Sequence, residues 1–297
     1  MDIPHLQGTA FGPDDTHRET KMTYETLLAE FDAGITTVTL NRPEKMNAMS
    51  PTLLAELKDV LSSAAEDDQV AVVVLRSTGK VFCAGYDLSP DDWIISQFPA
   101  EFEGGVDLQK DREDIVQLLK YWLGMRKFPK PIVAAVQGPA LSGAGELLAM
   151  CDIVIASEEA RFGHPAGRDL GIPPTVFLWP LLIGMRKTKE LLYTAKLIDA
   201  AEAGKLGLVN EVVAGEELEA RVRSMAEDIA RTPVNHLKIL KEAADNWYDN
   251  MGLETSSRQA ADLDAVFHQS PTFNAFFKLV GEKGMKAALD ERRRLFG

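Results

Sequence analysis

"GPALSGAGELLAMCD", residues 138–152, places glycines at 138, 143 and 145, then a single acid, Glu146, ahead of an apolar run. A phosphate-cradling loop needs G-x-x-x-x-G-K-[ST], and Gly138 to Gly143 has that spacing, but Ala144 and Gly145 stand where the lysine and hydroxyl belong. A dinucleotide turn needs a small residue where Leu148 sits. Ser142 lacks the flanking glycines of a nucleophile elbow, having Ala140 and Ala144 instead. What remains is a strand, a glycine turn and a helix start, which exposes backbone N–H groups that have no intrahelical partner and face incoming negative charge. Such donors suit a developing oxyanion. A tight turn with no further role is the other reading of the same glycines.

Working outward, "PIVAAVQG" (131–138) leads into the turn as a strand and "DIVIAS" (152–157) follows the helix as another buried strand. "VAVVVLRS" (70–77) predicts a strand buried on both faces. "GITTVTLN" (34–41) alternates and predicts a half-buried strand, closed by the turn "NRPE". Ser50 and Pro51 then open a helix with Leu53, Leu54, Leu57, Val60 and Leu61 at helical spacing. Strand signals stop near residue 215, and "EELEARVRSMAEDIARTP", "VNHLKILKEAADNWYDN" and "FNAFFKLVGEKGMKAALDERRRLFG" predict amphipathic helices. The expected organisation is an arm over residues 1–22, an α/β core over 23–214 and a helical region over 215–297. The irregular stretch Ser89 to Gly105 carries Trp93, Ile94, Ile95 and Phe98 and is expected to line an apolar pocket.

Composition removes several function classes. Asp plus Glu number 45 against 32 Lys plus Arg, a net charge of −13, which opposes general binding to nucleic acid or anionic membrane. No apolar run approaches the roughly 18 residues of a membrane span, and no signal pattern opens the chain. Cys83 and Cys151 read as buried free thiols, which fits a reducing cytoplasm. The five histidines have no H-x-x-x-H spacing, so no metal site is expected.

A second segment, "GKVFCAGYDL" (79–88), also passes from strand through a glycine turn into a polar stretch, and offers a second backbone donor. In order and spacing, "VTLNRPEKMNAMS", "KVFCAGYDL", "GPALSGAGELLAMCDIVIAS", "ARFGHP" and "AAEAGKLGLVNEVV" resemble the crotonase (enoyl-CoA hydratase/isomerase) superfamily, closely from Thr23 to Val213 and loosely beyond. The resemblance implies a spiral of ββα units with a carboxy-terminal helical region that builds trimers, commonly paired into hexamers. It implies an acyl-coenzyme A substrate and no further cofactor. The backbone N–H groups of Tyr86 and Gly143 would hold the thioester oxygen, that of Gly143 aided by the dipole of the adjoining helix. Lys45 and Ala48 in one loop, and Ala84, Tyr86, Asp87 and Leu88 in the other, become candidate coenzyme A contacts beside Gly143. Lys45 is equally readable as a solvated surface lysine.

Glu146 matches one of the two catalytic glutamates of the family's hydratases, its duller reading being a surface glutamate near a helix start. The second glutamate normally follows F-G-x-P, and here that position is Ala166. Nearby polar groups are candidates to replace it: His164, Arg168 and Asp169, unless His164 caps a turn and Arg168 pairs with Asp169 on the surface. Three readings follow. The first is an enoyl-CoA hydratase or isomerase; the second is hydrolysis, decarboxylation or carbon–carbon cleavage through the same thioester chemistry; the third is an acyl-CoA-binding homologue without turnover.

Overall fold

The structure, a computed structural model, describes residues 20–89 and 105–296. In chain order the strands are β1 (Thr20–Thr23), β2 (Leu27–Asp32), β3 (Ile35–Leu40), β4 (Val72–Ser77), β5 (Ile132–Val136), β6 (Ala140–Leu141), β7 (Ile153–Ser157), β8 (Arg161–Gly163), β9 (Ile198–Asp199) and β10 (Glu211–Val213). The helices are α1 (Pro51–Glu66), α2 (Leu108–Arg126), α3 (Ala144–Ala149), α4 (Trp179–Leu182), α5 (Met185–Thr194), α6 (Ala200–Leu206), α7 (Leu218–Ala230), α8 (Val234–Asn250), α9 (Leu253–Phe267), α10 (Pro271–Lys283) and α11 (Met285–Phe296).

Seven strands form one sheet in the order β1-β2-β3-β4-β5-β7-β10, antiparallel across the first three and parallel from β3 onward. Side chains alternate across it, so each face needs its own cover. Val38, Leu40, Val73, Leu75, Ala134 and Val136 enter the main core with α1 and Trp122. Ile35, Val72, Val74, Val133 and Ile155 point the other way, onto Leu218, Val222 and Ala226 of α7. That second cover corrects the half-buried reading of residues 34–41: Ile35 is buried under α7, nearly 200 residues later, and Thr39 on the same face is buried too, while Thr36 is buried on the main-core face. The reading of β4 as buried on both faces agrees with the structure.

The predicted start of α1 is present, with Pro51 in its first turn and the Ser50 hydroxyl accepting from Leu53 N at 3.2 Å. Its far end is closed by Lys130, fully buried, whose Nζ donates to the carbonyls of Ala64 and Asp67 at 2.6 Å each. A cation there meets both the unpaired carbonyls and the negative end of the helix dipole.

Three boundaries differ from expectation. Residues 20–22, assigned to the arm, pair with β2 as part of β1. The terminal helix is two, α10 and α11, because Gly284 between them takes φ +82°. Helix α9, which the sequence reading passed over, packs extensively on α2. Trp93, Ile94, Ile95 and Phe98 lie outside the described residues. No described helix is long and apolar enough to cross a membrane.

Candidate active site

Two backbone turns meet above the sheet. Met49 N donates to the Gly85 carbonyl at 2.8 Å and Asp87 N to the Met49 carbonyl at 3.0 Å, which pins residues 85–87 and leaves the Tyr86 N–H between them. Leu141 N donates to the Cys83 carbonyl at 3.0 Å and Ser142 N to the Gly163 carbonyl at 2.9 Å, which brings Gly143 to the same place. Neither the Tyr86 nor the Gly143 N–H has an acceptor among the described residues. Gly85 makes the approach possible: it takes φ +101°, and a Cβ there would lie 3.0 Å from Gly143 N. Ser142 is held at φ +51°, a strained conformation that turns the chain from β6 into α3. Because α3 has only six residues, the turn offers unpaired N–H groups more than a long helix dipole.

Glu146 follows on α3 and is fully buried. Its Oε2 accepts from the Tyr86 hydroxyl, and its Oε1 accepts from Thr175 Oγ1 at 2.9 Å and from Thr175 N at 3.3 Å. Trp122 Nε1 in turn donates to the Tyr86 hydroxyl at 2.8 Å. The surface reading of Glu146 is thereby overturned. Burial pushes its carboxyl above the ordinary value, against the opposing pull of the Tyr86, Thr175 and Trp122 hydrogen bonds, and burial with the Glu146 charge holds the Tyr86 phenol well above its own. Gly145 exists for this wall: a Cβ there would stand 2.6 Å from the Phe177 ring, which follows Thr175 by two residues.

Below the two N–H groups lies a cavity of about 250 Å³ whose lining includes Tyr86, Gly143, Leu118, Ala166 and Ile172. It is mostly apolar. Ala84, Asp87 and Leu88 are also in its wall, whereas Glu146 is not: the Tyr86 side chain stands between that carboxyl and the cavity. Asp87 is buried with its Oδ2 2.9 Å from Arg42 Nη1, and its Oδ1 accepts from Ser89 N at 2.8 Å. Burial raises the Asp87 carboxyl, but Ser89 and Arg42 outweigh that and hold it below the ordinary value. Arg42 Nη1 also donates to the Ala48 carbonyl at 2.6 Å, and the exposed Lys45 donates from Nζ to Ser89 Oγ at 3.0 Å. These contacts tie the loop before α1 to the loop after β4. Asn47, unremarked in the sequence reading, is the fully buried pin: it accepts from Arg42 N and donates to the Thr78 and Val81 carbonyls, at 2.8, 2.7 and 2.9 Å.

The loop after β8 corrects a further expectation. Arg168 and Asp169 do not pair with each other. Arg168 donates to the Thr194 carbonyl at 2.7 Å, and buried Asp169 receives both its hydrogen bonds from Arg292 Nε of α11, at 2.7 and 2.8 Å. Burial raises Asp169, with Arg292 opposing. His164 does not cap the turn: it is buried, lines the cavity and has Nε2 3.0 Å from the Gly171 carbonyl. Burial drives its ring down to about 4, so it is neutral at pH 7, with Nε2–H donating and Nδ1 unprotonated. That Nδ1 has no partner among the described residues.

Three polar residues of the same region escaped the sequence reading. Asp264 on α9 and His268, the residue that caps its carboxy end, are one turn apart and both line the cavity; Asp111 on α2 meets His268 from behind. The signal available was D-x-x-x-H on one helix face, which has no meaning until the helix is placed.

A model of the family described as enoyl-CoA hydratase/isomerase matches residues 30–295. The chain is 33% identical over 280 residues to a probable enoyl-CoA hydratase of Rhizobium meliloti, covering 93% of this chain and 99% of that one. It is also 33% identical over 281 residues to the crotonyl-CoA hydratase of Syntrophomonas wolfei, with the same coverage of 93% and 99%. Among solved structures it resembles an enoyl-CoA hydratase from Mycobacterium smegmatis with a TM-score of 0.83 at 28% identity, covering 92% of this chain and 96% of that one. An enoyl-CoA hydratase/isomerase from Xanthobacter autotrophicus superposes with a TM-score of 0.75 at 31% identity, over 93% and 100% of the two chains.

Proposed function

The chain belongs to the enoyl-CoA hydratase/isomerase family, and on that premise we propose that it binds an acyl-coenzyme A and stabilises the thioester enolate on the backbone N–H groups of Tyr86 and Gly143. The observation that carries this reading is the pair of unpaired N–H groups held together over Gly85 at the head of an apolar cavity. Two fixed donors aimed at one oxygen favour the charge that develops there when a proton leaves C2 or a nucleophile adds at C3.

Glu146 is the acid/base group of this proposal. It acts at the cavity through the Tyr86 hydroxyl it holds, and burial raises its affinity for a proton above that of an ordinary carboxylate, which suits a group that must both take and return one. Lys45, Ala48, Ala84, Asp87 and Leu88 shape the coenzyme A entrance, with the Arg42–Asp87 pair fixing its walls. Association of the protein into a trimer or hexamer, in the cytoplasm, completes the proposal; the exposed Ile239, Leu240 and Trp247 of α8 are apolar surface of the kind such association covers.

Ala166 lines the cavity where the second hydratase carboxylate would stand, so the second reading, hydrolysis, decarboxylation or carbon–carbon cleavage from the same enolate or thioester chemistry, is kept. Incubation with enoyl-CoA thioesters of graded size in heavy water, followed by mass spectrometry, separates these outcomes. Water addition gives a 3-hydroxyacyl-CoA and isomerisation a deuterated isomer. Free coenzyme A or a shortened acyl chain marks the second reading. Absence of all four with acyl-CoA still bound would leave only a binding protein.

A further inference from the structure

One part of the cavity wall is made by the carboxy-terminal helices, which supply Asp264, Phe273, Leu289 and Arg292. Asp264 Oδ1 accepts from Ile172 N at 2.6 Å, while Oδ2 has no hydrogen-bond partner among the described residues; the side chain, 9% exposed, is part of the cavity wall. His268 Nε2 lies 3.5 Å from Asp264 Oδ1, and His268 Nδ1 lies 2.8 Å from Asp111 Oδ2. Both ring nitrogens therefore face acceptors, the arrangement of an imidazolium. Its plane is fixed by stacking on Phe273, 4.3 Å between centroids.

Gly171 joins this cluster to His164. Its carbonyl accepts from His164 Nε2, and a Cβ on it would stand 2.9 Å from Asp264 Oδ1 and 3.0 Å from His268 Nε2. The unpartnered His164 Nδ1 and the open Asp264 carboxyl thus belong to two residues that flank one short segment of the cavity wall, four to seven residues past Ala166 in sequence. A buried acceptor left without a donor is destabilising unless something fills its place, so a water or a substrate oxygen is expected beside His164.

We propose that Asp264 is the second acid/base group of this site, standing in for the carboxylate missing at Ala166, with His164 orienting the attacking water and His268 and Asp111 acting as positioning residues for Asp264. The inference rests on the acyl-CoA reading above. In the hydration direction, the water oxygen bonds to C3 of the enoyl group as one of its protons passes to Asp264 Oδ2. The C2–C3 π pair moves into the thioester and leaves an enolate on the Tyr86 and Gly143 N–H groups. C2 then takes a proton from the Tyr86 hydroxyl, which regains one from Glu146. One water is consumed; the proton left on Asp264 and the one lost by Glu146 balance, and exchange with solvent resets the pair.

Titration agrees with this geometry. Burial is the main cause that lifts the Asp264 carboxyl to about 7, aided by the charges of Asp111 and Glu146 and opposed by His268 and Ile172 N. For His268 burial disfavours the charged ring, but the Asp111 hydrogen bond and the two aspartate charges outweigh it and hold the ring above its ordinary value. The groups that face Asp264 are His268 on its own helix, Asp111 on α2, Glu146 on α3, Tyr86 after β4, His164 after β8 and Arg292 on α11.

The test compares the full-length parent with Asp264→Asn, Asp264→Asn/Ala166→Glu and His268→Gln, measuring enoyl-CoA hydration from pH 5.5 to 9 and binding of a saturated acyl-CoA. Expected are a fall of about 100-fold or more in kcat for Asp264→Asn with acyl-CoA affinity kept. Recovery of at least tenfold is expected when Ala166→Glu is added, because the new carboxyl occupies the same cavity. His268→Gln removes the cation that lowers Asp264, so the pH limb near 7 moves upward, a readout that does not require Asp264→Asn to fold. Hydration by Asp264→Asn within threefold of the parent, or a pH limb unmoved in His268→Gln, overturns the proposal alone. A parent that binds acyl-CoA but adds no water overturns this proposal together with the hydratase reading, whereas a parent that does not bind acyl-CoA removes the premise of both.

Discussion

The two walls of the cavity are built from different materials. The wall of Tyr86 and Gly143, with Glu146 behind it, consists of two tight backbone turns and one short helix, clamped by hydrogen bonds to the sheet. The other wall consists of side chains on α2, α9 and α11, meeting across 157 residues in the Asp111–His268 contact and 123 in the Asp169–Arg292 pair. Backbone donors are fixed by chain geometry and tolerate neighbouring side-chain change. Side-chain carboxylates take their chemistry from whatever surrounds them. The first wall suits the part of a reaction a family keeps, and the second the part a member alters.

The largest effect that sharpens this contrast is Glu146→Gln. It keeps the shape and removes the titrating group, so turnover should fall by about 10²–10⁴ with little change in acyl-CoA affinity. Steady-state kinetics with separate KM and kcat decides it; unchanged kcat would reduce the first wall to its backbone.

Gly85→Ala comes next. The added Cβ would press on Gly143 N and move the two donors apart, with an expected loss of about 10²–10³ in kcat, the scale of one oxyanion donor. Circular dichroism and a thermal melt separate this from loss of fold.

Thr175→Ala probes the support of the first wall. It removes the 2.9 Å hydrogen bond to buried Glu146 and should lower stability by about 1–3 kcal/mol, read from urea unfolding. Turnover should move by a smaller factor, because Tyr86 still holds the other oxygen.

The second wall shows itself in the pH dependence of stability. Folding raises Asp264 from the ordinary carboxylate range to about 7, so the folded chain holds that proton more tightly than the unfolded one. Its contribution is complete below the unfolded value near 4 and is lost as pH rises toward and through 7. Asp264→Asn should therefore flatten part of the decline in Tm between pH 5 and 8. An identical slope in both proteins would mean that the carboxyl titrates as it does in water. Smallest of all, Lys45→Ala should change KM for acyl-CoA by no more than about threefold, since an exposed ammonium is strongly screened.

The first wall was largely legible in the sequence. The glycine turns and the acid three residues after Gly143 sit in short segments whose conformation follows from local residue types. So did the two-sided burial of β4, which its unbroken apolar run announces. The burial of β3 was not legible, because the face that carries Ile35 and Thr39 looks solvated until α7 comes against it. The partner of Asp169 was misread for the same reason: Arg168 is adjacent in sequence, but α11 carries Arg292 to it.

By itself the sequence determined the alternation of strands and helices, the turns that free two backbone donors, and the family to which such turns belong. These depend on neighbours within a few residues, through steric limits on φ and ψ and through apolar periodicity. Only the tertiary structure decided that Glu146 lies behind Tyr86, that His164 Nδ1 finds no partner among the described residues, and that Asp264 faces the cavity between a histidine and a glycine. A side chain's proton affinity and reach are set by desolvation and by charges from distant segments, and those come together only when the helices pack.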